Sequence, residues 1–343
     1  MCARRSRRRF NHSRSETFRA PGEPMTAFTV YGSGRVEGLL GADDVRVGPV
    51  TVRGQSIGLI TAEAGSAFDA LPLDGIVGLG LRGLSSSPRW SPLFESVVEQ
   101  RLLPRSEFSF YLHPEPSLGG AILWGGSDPR LYEGPLEWFP VTDEGFWALD
   151  LVSFRVGNST FTVGDACNES LKEKGHQRTG LRARAPPRSR EQPALFRPKL
   201  IVDSGTTFFT AAGAVYDAIT EAIRPTLCKD VAALPPLEYT IRDSTGRPRR
   251  IPVPPEEYMV RDNVRQGYCF LGVVPQEAFS NVPMMILGEL FMRYRFTTFR
   301  RRDPTGRAEV GMARASHGAA AQSFFAESRA DGSSAAAGEA ARR

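Results

Sequence analysis

Residues 200–209 read Leu200-Ile201-Val202-Asp203-Ser204-Gly205-Thr206-Thr207-Phe208-Phe209, one aspartate in an Asp-Ser-Gly-Thr-Thr turn after an apolar run. Leu200, Ile201 and Val202 predict a short buried strand, and Gly205 lets the backbone turn sharply behind it. A carboxylate held at a strand end is placed for chemistry rather than for solvation. The chemistry it suits is shared-proton catalysis, in which two carboxyls lie so close that one ionises while the other keeps its proton. One takes a proton from a water that attacks a peptide carbonyl, and the other donates to the carbonyl oxygen. No metal and no covalent intermediate is then required. Thr206 and Thr207 supply hydroxyls that tie the turn down. The plainer reading is a Ser/Thr-rich turn with a surface aspartate.

A shared-proton site needs two such turns, and no second Asp-(Ser/Thr)-Gly occurs in the 343 residues. An apolar-apolar-Gly element does occur twice, as Ile76-Val77-Gly78 and Ile286-Leu287-Gly288, the pattern of two related lobes. Asp203 precedes Gly288 by 85 residues, and the same spacing counted back from Gly78 falls upstream of Met1. The expectation is a chain that starts too late to hold its own first catalytic aspartate. Asp43 and Asp44 fall in a strand, and Asp69 and Asp74 lack a following Ser/Thr-Gly, so none of them substitutes.

Composition points to a mainly β protein. With 41% apolar residues, 34 Gly and 26 Pro, the chain can bury two cores and reads as short strands and turns. Residues 28–31 and 36–40 flank Gly32-Ser33-Gly34, a hairpin signal with glycines where positive φ is needed. Helices are predicted over 92–100 and 214–224, the second with Ala214, Ala218 and Ala222 on its apolar face.

In combination these segments resemble the pepsin-like aspartic endopeptidases, in order from about Phe10 to Ala313. YGSGRVEGLLGADDVRVG (31–48) is similar to that family's flap hairpin, and LDGIVGLG (73–80) to its first-lobe segment beneath the active site. FSFYL (108–112), AILWGGSDPRLYEGPLEWFPV (121–141) and EGFWALDL (144–151) resemble the strands joining the lobes. IPVPPEEYMV (251–260), MILGELFMRYRFTTF (285–299) and EVGMA (309–313) resemble the last strands. Two positions depart from the family's habit: Glu289 stands where Asp is usual, and Ser204 where Thr is commoner.

The resemblance implies a bilobal pepsin-like acid protease fold with an incomplete N-terminal lobe. Its parts would be a disordered basic segment (1–9), a partial N-terminal lobe (10–140), a C-terminal lobe (141–315) with a disordered insert at 170–197, and a disordered tail (316–343). It also implies Asp203 as the second-lobe catalytic aspartate, with Ser204, Gly205, Thr206 and Thr207 as its turn. Tyr31, Gly32, Ser33 and Gly34 would form the flap over an extended polypeptide substrate. Cys228 and Cys269 fall where the family commonly has a disulfide, whereas Cys167 and Cys2 have no evident partner. Cofactors are not implied, and a monomer in the secretory pathway, in vesicles or outside the cell is.

The net charge of +5 is uneven. Residues 1–19 carry +6 and 172–199 carry +7, leaving an acidic body of −8 that does not resemble a nucleic-acid groove. The basic segments read as solvated, disordered loops. No apolar run of signal-peptide or membrane-spanning kind is visible, and scattered His and Cys argue against a metal site. Asn11, Asn158 and Asn168 head Asn-X-Ser/Thr triplets. Two other readings stay open: a non-catalytic pepsin-fold protein that binds peptides, and a dimer in which each chain gives one aspartate.

Overall fold

The computed structural model describes residues 8–20, 24–31, 34–64, 73–85, 90–162, 199–211, 213–276, 284–302 and 307–330. The expected basic insert, Cys2, Cys167 and Asn168 lie outside the described residues. The fold is mainly β, as the composition predicts, and its described strands form four sheets.

The N-terminal strands β1 (Pro24–Tyr31), β2 (Gly34–Val47) and β3 (Val50–Ala64) form an antiparallel three-stranded sheet. The predicted hairpin is the β1–β2 pair, with Tyr31 opposite Gly34. The helix α1 (Leu93–Glu99) packs Leu93 and Val97 against Val50 and Val52 of β3 in a small core.

A second sheet joins the middle of the chain to its C-terminal part. It orders β5 (Gly120–Trp124), β4 (Glu107–Leu112), β18 (Arg295–Arg301), β19 (Ala308–Ala315) and β6 (Tyr132–Pro140). Its apolar face holds Phe108 stacked on Phe299, ring centroids 5.0 Å apart, within the main core.

The C-terminal lobe carries an eight-stranded sheet. Along it run β13 (Pro248–Val253), β12 (Leu237–Arg242), β7 (Ala148–Val156), β9 (Lys199–Val202), β17 (Met284–Leu287), β10 (Phe209–Ala211) and β16 (Val273–Pro275), with β8 (Ser159–Thr162) on β7. A three-stranded sheet of β11 (Thr226–Leu227), β15 (Tyr268–Leu271) and β14 (Met259–Arg261) sits beside it. Cys228 and Cys269 form the disulfide that closes this sheet's edge. Three helices complete the lobe: α2 (Gly213–Ala222), α3 (Pro255–Tyr258) and α4 (Glu289–Met292).

The expectation for α2 is sharpened and that of a disordered tail is corrected. The helix α2 packs against the lobe as expected, with Val215, Ile219 and Ile223 in the core, Ala218 partly buried beside them, and Ala214 and Ala222 exposed. Residues four apart share a face, and the branched side chains win burial because they remove more apolar area. Residues 319–330 of the expected tail form α5 (Ala319–Ala330). Its alanines favour helix, and the turn of helix brings Ala321, Phe324 and Phe325 onto one stripe against Tyr111, Leu131, Tyr132 and Phe296. At the other end Arg8, inside the expected disordered segment, bonds Asp74 through its amide (2.8 Å) and its Nε (2.9 Å).

Candidate active site

Asp203 stands where β9 leaves the sheet. β9 runs parallel to β17, register Val202 to Leu287, and the Asp203 amide donates to the Leu287 carbonyl at 3.1 Å. On the other side the Val202 amide donates to the Trp147 carbonyl at 3.1 Å. The aspartate is thereby clamped between two neighbouring segments while its side chain remains half-buried.

The turn then locks the carboxylate. Oδ1 accepts the Gly205 amide at 2.9 Å, and Oδ2 accepts the Thr206 hydroxyl at 2.6 Å. Hydrogen bonds of this charge-assisted kind are short and directional, so the carboxyl plane is fixed. Thr207 is exposed, but its carbonyl accepts from the Leu290 amide at 3.0 Å, beside the Glu289 amide's 2.6 Å bond to the Thr206 carbonyl. Ser204 is exposed at the tip of the turn.

These bonds require the chain to cross at Gly288. A Cβ there would lie 2.3 Å from the Phe208 carbonyl oxygen and 2.5 Å from that of Thr206. Only glycine lets the two strands approach so closely. The sequence pattern found Gly288, but not Trp147, Thr210 or Gly272. Thr210 Oγ1 accepts the Ile286 amide at 3.0 Å, and the Gly272 carbonyl accepts the Phe209 amide at 3.0 Å. The Trp147 and Gly272 bonds run through backbone atoms, which leave no residue-type signal in a single sequence.

The first-lobe counterpart is built differently. Ile76 and Val77 are 49% and 60% exposed, and a Cβ on Gly78 would meet nothing within 4 Å among the described residues. The chain is tied on both sides of this segment: Asp74 accepts from Arg8, while Trp147 Nε1 donates to the Leu79 carbonyl at 2.8 Å and the Leu81 amide to the Gly145 carbonyl at 3.0 Å. Ile286-Leu287-Gly288 is thus covered by an aspartate turn, and Ile76-Val77-Gly78 is open.

Of the expected flap, Tyr31 ends β1 and Gly34 begins β2, while Gly32 and Ser33 lie outside the described residues. Among the described residues no group of three His, Cys, Asp or Glu is placed to hold a metal ion. No helix among them is long and apolar enough to cross a membrane.

The family profile described as eukaryotic aspartyl protease matches residues 1–174 and 190–315. The chain belongs to this family. Among curated relatives, Aspartic protease 3 of Toxoplasma gondii is 32% identical over 323 residues, covering 90% of this chain and 44% of that protein. Pepsin A of Bos taurus is 30% identical over 306 residues, 89% of this chain and 72% of the relative. Gastricsin of Callithrix jacchus is 30% identical over 322 residues, 90% and 71%. The chain therefore spans less than half of the Toxoplasma relative. The α5 helix lies beyond the region matched by the family profile.

Proposed function

We propose that this family member contributes to aspartic endopeptidase chemistry, with Asp203 as one of two carboxylates that activate the attacking water. The observation that carries the reading is the locking of the Asp203 carboxyl by Gly205 and Thr206 at the Gly288 crossing. A rigid, half-buried carboxyl can pass a proton without first having to reorganise. The second carboxyl comes from an Asp-(Ser/Thr)-Gly turn outside these 343 residues. The open Ile76-Val77-Gly78 segment is its seat, as Ile286-Leu287-Gly288 seats the Asp203 turn.

The substrate is a polypeptide bound as an extended strand beneath Tyr31, Gly32, Ser33 and Gly34, with side chains alternating between pockets. The chemistry needs no cofactor. The working unit is a monomer, and its disulfide supports passage through an oxidising, secretory compartment.

A second reading rests on the single Asp-Ser-Gly turn in the sequence: a pepsin-fold protein that binds peptides without cutting them. Peptidase assays of Asp203→Asn in a site completed with a second aspartate separate the two. Loss of turnover with retained folding supports the protease, and unchanged turnover refutes the role of Asp203.

A further inference from the structure

The helix α5 follows β19 through a short joint at His317. Ser316 is tied to the Leu131 carbonyl by a 2.9 Å bond, so the joint is fixed on its strand side. The His317 ring then faces the protein: Nδ1 lies 2.8 Å from the Tyr111 hydroxyl, and the His113 ring stands edge-on with centroids 5.0 Å apart. Its Nε2 is shut off from solvent. Beyond the joint, α5 closes over Tyr111 with Ala321 and Phe325, the Tyr111 and Phe325 centroids lying 5.5 Å apart.

We infer that the Tyr111–His317–His113 cluster is an acid-released latch: protonation of His317 frees α5 from the five-stranded sheet. A neutral imidazole fits this contact, but an imidazolium would carry charge into a half-buried joint beside a second histidine, His113. Burial first, and then the neighbouring His113, hold the His317 pKa below its ordinary 6.5. The other facing groups divide. Arg314 on β19 also opposes the charge, while the Arg293 backbone and Glu133 on β6 favour it, with a net shift downward. Tyr111 stays a neutral hydroxyl throughout, its pKa pushed up to about 12 by burial.

The sign follows from which state takes the proton. The docked state resists protonation and the released state does not, so docking is fully stable above 6.5 and weakens as pH falls through that value towards the lower docked pKa. The Arg130–Glu327 ion pair, 2.6 Å, holds the helix from another side and does not involve the histidines.

Hydrogen exchange of residues 319–330, corrected for intrinsic rates, tests this on the full 343-residue chain at pH 7.5 and 5.5. Protection of α5 is expected to fall at pH 5.5, by at most about tenfold, while β18 and β19 hold theirs, the ceiling that one pH unit of linkage below 6.5 sets. In His317→Leu the pH dependence should vanish. If that variant fails to dock α5 at either pH, His113→Gln decides: docking intact at pH 7.5, and a smaller loss at pH 5.5. Equal protection of the unmodified chain at both pH values overturns the latch. So does an undiminished pH effect in a docked His317→Leu, or, where that variant does not dock, in His113→Gln.

Discussion

Gly288 lies so close beneath the Asp203 turn that a side chain there would stand 2.3 Å from the carbonyl oxygen of Phe208. Its internal counterpart Gly78 has nothing within 4 Å among the described residues. The same three-residue pattern thus occurs once as a tightly covered crossing and once as an open surface. Gly288→Ala should cost about 3 kcal/mol or more, because backbone rather than a movable side chain blocks the methyl. Gly78→Ala should stay within about 0.5 kcal/mol. Urea unfolding of both variants checks the contrast, and equal costs would show that the two elements are packed alike.

Thr206 acts on Asp203 through its hydroxyl, at 2.6 Å from Oδ2. Thr206→Val removes that donor at nearly constant shape and should destabilise the lobe by about 1.5–3 kcal/mol, the range for hydrogen bonds to charged groups. Thr206→Ser should recover most of the loss. Denaturation midpoints compare the three proteins; a Val variant as stable as Ser would mean the hydroxyl is idle.

The Cys228–Cys269 disulfide closes a loop with a sequence separation of 41. Loop-closure entropy assigns such a cross-link about 4 kcal/mol of stability. Replacing both cysteines by serine should lower unfolding stability by roughly that amount. The reading fails if the double variant and the oxidised protein melt together.

Asp243 caps the β12–β13 turn. The Thr245 hydroxyl first, then Arg249 and the Arg247 and Thr245 amides, hold its carboxyl well below the ordinary 3.8. A depressed carboxylate stabilises the fold above its unfolded value, and that contribution is lost as pH falls below 3.8. Amide protection at Thr245 and Arg247 should therefore decline from about pH 4 downward. In Asp243→Asn it should be lower at neutral pH and flat across the same range. A wild-type profile as flat as the variant's would contradict the assignment.

Much of this architecture is written in residue types. Leu200-Ile201-Val202 before Asp203 marks a buried strand, Gly32-Ser33-Gly34 marks a hairpin, and the repeated apolar-apolar-Gly element marks two lobes. What escaped the sequence depends on tertiary neighbours. The tail around Phe324 and Phe325 looks low in complexity until helical winding sets both rings on one stripe facing Phe296. The alanines of α2 are periodic, yet Val215 and Ile219 share the competing face and take the core. Trp147, Thr210 and Gly272 bind the Asp203 turn largely through backbone groups that any residue could supply.

Asp203 as one of two catalytic carboxylates is tested by peptide hydrolysis between pH 3 and 7 by the chain alone, by the chain joined to the Asp-Thr-Gly segment of a pepsin-like relative, and by that chimera carrying Asp203→Asn. No turnover is expected from the chain alone, pepstatin-sensitive cleavage from the chimera, and none from its Asp203→Asn form. Cleavage that survives Asp203→Asn, or that the chain performs without the added aspartate, would refute that role.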